Sequence, residues 1–368
     1  MYIIGFYSQY INRSSVLISI MSEAKSLKDL MIIRAHNREK LDSINGNLGT
    51  ALGFKKPTDK EITNTPAIIV FVPQKINPKW IPNSQLIPSK LKGPNGLWCE
   101  VDVVEGGKIQ KENPVEPDWS ELSERLRGWD EKVWSGSQIS TWEDRDKGFY
   151  SMGTLGAFVK TRKGGKIGLL TNQHVAKSVG QKMYHPVPWG THLATTKQVL
   201  EYSADEEYYG KFTDEPNTFV RVDCAFAEIE QNFDNSGLNY EMMGVGKLGQ
   251  VKSVSLDNMN IIGQKVLRVG RTTGKREGTI TAFGYEFMDD NNVTAYTDLL
   301  IAGDDGTIFS THGDSGSLIV TNDENHNPIG LLWGGWEEKL RTGYGQENWT
   351  YGIILERILN LLEVDILN

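Results

Sequence analysis

The 368-residue sequence predicts a mainly β protein with a small α/β domain at its N-terminal end. Three observations carry that expectation. A helix-forming stretch and two β-rich runs precede residue 107. After residue 135 the texture changes to many short β-runs separated by glycine and asparagine. Among those runs one histidine, one aspartate and one serine occur in a telling order.

Residues 1–21 hold a short apolar patch, Val16 to Ile20, with no basic residue before Arg13 and no small-residue cleavage pattern. They read as an extension or a mis-assigned start ahead of Met21, not as a secretory leader. From Ser22 to about Leu41, good helix formers with apolar residues at Leu27, Leu30, Ile33 and Leu41 predict one amphipathic helix. The run Ala67 to Val72 and the alternating run Cys99 to Val104 predict two strands, so residues 22–107 form a small α/β domain. Residues 108–135 are charged and proline-bearing, with a short helix expected between Trp119 and Trp129, and read as a linker or docking segment.

Residues 136–368 carry the short strands: Thr154 to Val159, Ile167 to Leu170, Phe219 to Ile229, Gln264 to Val269, Gly278 to Ala282, Leu299 to Ala302, Ser317 to Val320 and Ile329 to Trp333. Their spacing predicts a barrel or sandwich. Ile353 to Val364 is apolar at helical spacing and predicts a closing amphipathic helix.

Composition narrows the function. With 39 basic and 47 acidic residues interspersed, no basic stripe is available to track phosphates, and nucleic acid is not an expected partner. No apolar stretch reaches the roughly 18–20 residues that cross a bilayer, so no membrane partner is expected. The two cysteines, Cys99 and Cys224, allow at most one bridge and fit a reducing, cytoplasmic setting. No cofactor or metal is called for. Val269 to Lys275 has three residues between its glycines where a phosphate loop has four, and no Cys/His cluster has zinc spacing.

The chemistry is concentrated in three places. Gly313, Asp314, Ser315, Gly316 and Ser317 make a glycine-flanked turn leading into a strand. Such a turn exposes the Ser315 hydroxyl and aims the N–H groups of Gly313 and Ser315 at one point, the requirement of an oxyanion hole. A serine needs a base, and His174 stands at the exit of the apolar run Leu169 to Thr171. Asp223 interrupts the apolar pattern of Val220 to Ile229; a buried carboxylate needs a partner, and an imidazole N–H would both satisfy it and fix the tautomer. The order is His, Asp, Ser, separated by 49 and 92 residues. That is the chymotrypsin-type order, and its spacing suits two consecutive β-barrels, with His174 and Asp223 from the first and Ser315 from the second. Leu332, Trp333 and Gly334 lie where this fold pairs a strand with substrate. Phe309, six residues before Ser315, falls at the floor of the specificity pocket and points to an uncharged residue before the cleaved bond.

Beyond these residues, the collinear runs Leu170 to Ala176, Gln181 to Pro186, Asn217 to Asp223, Val269 to Gly274, Gly313 to Ser317, Trp333 to Gly335 and Glu347 to Thr350 resemble the trypsin-like peptidase domain of the plant Narrow Leaf proteins and their bacterial relatives. The likeness spans roughly residues 150–366 and implies a chymotrypsin-like double β-barrel, an intracellular serine peptidase acting on protein or peptide substrates, triad roles for His174, Asp223 and Ser315, and a homo-oligomer. His312 departs from the pattern, a second imidazole beside the active turn. No Arg/Lys-Ile-Val-Gly-Gly activation site precedes the first barrel. The rival readings are a catalytically silent peptidase-fold scaffold that binds partner peptides, and an esterase using the same site.

Overall fold

A computed structural model of the chain describes residues 21–56, 63–106, 120–205, 209–210, 218–288, 294–304, 307–336 and 349–368. The predicted N-terminal extension before Met21, residues 108–119 of the predicted linker and the motif residues Asn217, Glu347 and Asn348 lie outside them.

The N-terminal helix α1 (Leu27–His36) starts at Ser26, whose hydroxyl accepts from the Asp29 N–H, and buries Leu27, Leu30, Met31 and Ile33. Sequence periodicity predicts one helix to Leu41, but the helix stops at Asn37 and a second, α2 (Arg38–Asp42), follows. The Asn37 side-chain amide donates to Ile33 O and, across to a distant strand, to Lys92 O, a local bond and a tertiary one that hold Asn37 in the non-helical conformation at the helix end. Strand β1 (Gly49–Phe54) pairs antiparallel with β2 (Pro66–Val72), which pairs parallel with β3 (Leu97–Glu105). Every residue of β2 is buried, which explains its unbroken apolar run.

The outer edge of β1 is not free. It pairs antiparallel with a strand of the C-terminal half, Leu52 opposite Phe283 and Gly53 opposite Ala282. Arg34 reinforces the junction, donating to Gly284 O at 2.5 Å and facing Glu286 at 3.4 Å, while Arg38 meets the same carboxylate at 3.0 Å. Helix α3 (Glu121–Arg127) buries Leu126, and Arg127 donates to Arg271 O.

The first barrel comprises β4 (Gln138–Asp144), β5 (Phe149–Thr154), β6 (Ala157–Thr161), β7 (Ile167–Thr171), the short α4 (Gln173–Ala176), β8 (Lys182–His185), β9 (Thr191–Ala204) and β10 (Phe219–Ile229). Hydrogen bonding runs β5–β4–β8–β9–β10–β7–β6. These strands share a core around Ile139, Phe158, Leu169, Val175, Met183 and Leu193.

The second barrel is β11 (Lys265–Gly270), β12 (Gly274–Met288), β13 (Thr294–Gly303), β14 (Leu318–Thr321), β15 (Pro328–Trp336) and β16 (Trp349–Ile354). It closes by hydrogen bonds, β11–β12–β13–β16–β15–β14 and back to β11, so no edge is left within the ring. The expected mainly β architecture with a small α/β N-terminal unit is therefore the observed one.

Strand β10 belongs to both halves. Phe219 and Val220 pair with Ala295 and Tyr296 of β13, whereas Ala225 onward pairs within the first barrel. Helix α5 (Leu355–Leu362) is shorter than predicted because Ile353 and Ile354 end β16, and Val364 begins β17 (Val364–Ile366), which pairs back onto β6. Both cysteines are free and buried. Among the described residues no helix is long and apolar enough to cross a membrane.

Candidate active site

His174 sits in α4, one turn beyond the end of β7, and its ring remains partly exposed. Asp223 lies at the point where β10 passes between the barrels, with φ 34°, a backbone region that non-glycine residues rarely occupy. Its side chain is 1% exposed. The carboxylate takes the His174 backbone N–H on one oxygen at 3.1 Å and the ring Nδ1 on the other at 2.7 Å. A carboxylate only accepts here, so Nδ1 carries the proton and Nε2 presents its lone pair outward. Asn172, wholly buried, donates to Asp223 O at 2.7 Å and fixes the strained residue from the other side. Burial alone would raise the Asp223 pKa, but the facing imidazole and the hydrogen bonds from His174 outweigh it and hold the carboxyl below its ordinary value.

Ser315 occupies the turn before β14. Gly313 and Gly316 have φ of 93° and 90°. A Cβ at Gly313 would come within 2.5 Å of Thr272 Oγ1, and one at Gly316 within 2.4 Å of Thr154 O and Thr171 Oγ1, so glycine is required on both counts. The N–H groups of Asp314, Gly316 and Ser317 donate to Thr311, Leu332 and Asp314 carbonyls, whereas those of Gly313 and Ser315 have no acceptor among the described residues. Ser315 O accepts from Thr154 N at 2.8 Å, and the neighbouring Gly153 packs against Val175. The end of β5 thus touches both the turn bearing Ser315 and the turn bearing His174. No hydrogen bond joins Ser315 Oγ to His174 among the described residues; such contacts commonly tighten only when substrate is bound.

What the sequence reading missed is the support beneath the turn. Asp314 is fully buried, and its carboxylate meets Arg268 at 2.9 Å, the Thr272 and Thr273 N–H groups at 2.9 and 3.2 Å, Thr273 Oγ1 at 2.8 Å and Thr311 N at 3.1 Å. Arg268 is itself fully buried on β11 and also donates to Phe309 O and Gly274 O. The β11–β12 hairpin turn, Gly270 to Gly274, is the clamp of the serine turn. A signal was present: Arg268 interrupts the apolar run Val266 to Val269, and a buried cation needs a partner as much as a buried carboxylate.

Around the other predicted substrate positions, Phe309 is fully buried with its ring 5.7 Å from the Arg268 guanidinium. Leu332 is buried and exchanges main-chain hydrogen bonds with Gly316 and Ser317. Trp333 donates through Nε1 to Thr297, stacks on Tyr351 at 5.3 Å and lies under the Arg221 guanidinium at 4.6 Å. Beside it, a Cβ on Gly334 would meet only Tyr351 Cδ2, at 3.9 Å, so space is open there. His312 is exposed, and its carbonyl accepts from Thr272 Oγ1.

Residues 115–368 match the Nal1 C-terminal domain family, and residues 22–104 match the NARROW LEAF 1 N-terminal domain. The chain belongs to the Narrow Leaf 1 family. It is 40% identical over 367 residues to Protein NARROW LEAF 1 of Oryza sativa subsp. japonica, an alignment covering 94% of this chain and 61% of that protein. This Narrow Leaf 1 family chain thus spans about three-fifths of that relative's length. It is also 27% identical over 166 residues to a probable serine protease of Bradyrhizobium tropiciagri, covering 40% of this chain and 20% of that one. Among solved structures, Nocardiopsis protease aligns at 19% identity and TM-score 0.42, covering 64% of this chain and all of that one. A glutamic acid specific serine protease aligns at 15% and 0.44 with the same coverage.

Proposed function

We propose that this Narrow Leaf 1 family chain is a serine endopeptidase, with Ser315 as nucleophile, His174 as base and acid, and Asp223 as the orienting carboxylate. The observation that carries the reading is the 2.7 Å contact between His174 Nδ1 and the buried Asp223 carboxylate, with the end of β5 touching both the His174 turn and a glycine-flanked serine turn that has two unused N–H groups. Ser315 Oγ attacks a peptide carbonyl while His174 Nε2 takes its proton; the N–H groups of Gly313 and Ser315 hold the oxyanion, a contribution of about 10²–10³ in rate for one donor in a comparable hydrolase. His174 then protonates the leaving amine, and water completes the cycle by the same path. Asp314 supports the reading from below. Its countercharge, Arg268, comes from within the fold, so the turn needs no newly released terminus to hold it. The substrates are proteins or peptides, and the two buried, unbridged thiols suit a reducing, cytoplasmic compartment.

A tagged fluorophosphonate tests the reading without knowledge of the substrate. Labelling of the parent and not of Ser315→Ala is the expected result. A folded parent that stays unlabelled would instead favour the silent scaffold that binds partner peptides.

A further inference from the structure

Arg271 follows β11 directly and is half-buried at the edge of the serine turn. Its N–H donates to Thr154 Oγ1 at 3.1 Å, and its guanidinium is held by Gln138 Oε1 at 2.7 Å and Thr272 Oγ1 at 3.0 Å. These are neutral partners. Nη1 lies 2.8 Å from where a Cβ on Gly313 would stand, so the cation lies against the residue whose N–H is free for an oxyanion. Among the described residues no carboxylate forms an ion pair with Arg271. The nearby Asp314 is already taken by Arg268, three N–H groups and a hydroxyl, and the second nearby cation, Arg127, adds repulsion. A guanidinium withdrawn from water with no anion is costly, and five fixed donors make it a ready partner for a planar carboxylate.

Chemistry decides which part of a substrate meets it. The leaving amine takes its proton from His174, so the departing segment runs on the His174 side of Ser315. The end of β5 occupies that side, because Gly153 packs against Val175 and Thr154 holds Ser315 O. Arg271 is tied to Thr154, and so borders the path of the departing segment.

We infer that Arg271 is a carboxylate-binding subsite on the leaving side, selecting substrates with an Asp or Glu side chain, or a chain terminus, shortly after the cleaved bond. The inference rests on Ser315 being the nucleophile, and its test separates the two. The full chain, Arg271→Gln and Arg271→Lys are presented with pools of synthetic peptides in three sets. One set is amidated with Asp or Glu at varied positions, one carries Asn or Gln there, and one is neutral with a free terminal carboxylate. Cleavage sites are read by mass spectrometry. Acid-bearing peptides should be favoured about tenfold over their amide twins, the scale of a hydrogen bond between charged groups. The ratio should fall to about one in Arg271→Gln and persist in Arg271→Lys; enrichment confined to the first or third set identifies the source of the carboxylate. Equal turnover of acid and amide twins by the parent overturns the inference while leaving Ser315 as nucleophile. Should fluorophosphonate not label Ser315, the same pools are read by equilibrium retention on the chain, and the acid-to-amide ratio decides in the same way. If Arg271→Gln does not fold, loss of the parent's own ratio at high salt supports the subsite, and a salt-insensitive ratio overturns it.

Discussion

Replacing Arg268 by methionine keeps most of the side chain's volume and removes its charge and its donors. The parent residue is fully buried, meets Asp314 at 2.9 Å, and donates to Phe309 O at 2.8 Å and Gly274 O at 3.0 Å. Asp314 is equally buried, so the variant leaves a carboxylate without its countercharge in a dry site, a defect that costs about 3–5 kcal/mol. Against a usual total of about 5–15 kcal/mol this is a large share, and a fall in thermal midpoint on the order of 10 °C is expected. The reactivity of Ser315 should fall further than stability does. Asp314 holds the turn through Thr272, Thr273 and Thr311, and the same turn carries the Gly313 and Ser315 N–H groups. The double variant Arg268→Met, Asp314→Leu removes both charges and should recover much of the lost stability but not the labelling rate. Thermal unfolding and fluorophosphonate labelling rates on the four proteins of the cycle read both quantities. A single variant that costs under about 1 kcal/mol, or a double variant no more stable than the singles, would refute the reasoning.

Asp223→Asn should lower Ser315 reactivity by about 10⁴, the loss seen for that change in a comparable triad, while the fold persists. The Asp223 carboxyl is held below its ordinary value, so its stabilising effect is complete above the unfolded value of about 3.9 and is lost as pH falls through the lower folded value. Acid unfolding below about pH 4 should therefore be steeper in the parent than in Asp223→Asn. Cys99, with its thiol pushed up to about 12 by burial, and Cys224, raised further by burial and then by Asp223, should resist iodoacetamide at pH 8 in the folded chain and react fully in denaturant, as quantified by mass spectrometry. Deleting residues 1–106 strips β1 from β12 and uncovers an apolar strand edge, so the shortened chain should aggregate or melt earlier in light-scattering and thermal scans.

Much of this was legible in the sequence because its signals are local. The serine turn announces itself through glycines that backbone geometry requires, and Asp223 through the break it makes in an apolar strand. Other features depend on partners distant in sequence. The end of α1 is set by Asn37 reaching Lys92, and the clamp on Ser315 by Arg268 reaching Asp314, 46 residues away. The fourteen-residue strand β9 escaped notice because its burial is irregular and its register with β10 shifts twice, which blurs the alternation a strand would show. The closed ring of the second barrel is likewise a property of pairings, of which no single strand carries a sign.

The way the parts are joined bears on how such a site stays assembled. His174 belongs to the first barrel and Ser315 to the second, so their relation depends on whatever fixes one barrel against the other. Ties of this kind among the described residues include the pairing of β10 with strands of both barrels, the return of β17 from the second barrel to β6, and the Thr154 N–H at the end of β5, which donates to Ser315 O. Asp223 falls inside the first tie, between the residues of β10 that pair with β13 and those that pair with β7, where the register with β9 also shifts. Its strained backbone sits at that irregularity, and the hydrogen bonds from Asn172 and His174 act against its relaxation. The α/β unit attaches elsewhere, along β12, with Arg34 and Arg38 closing on Glu286. Its contribution to the site is therefore through the rigidity of the second barrel, and a loosening of that junction should reach Ser315 by way of the β11–β12 hairpin that clamps Asp314.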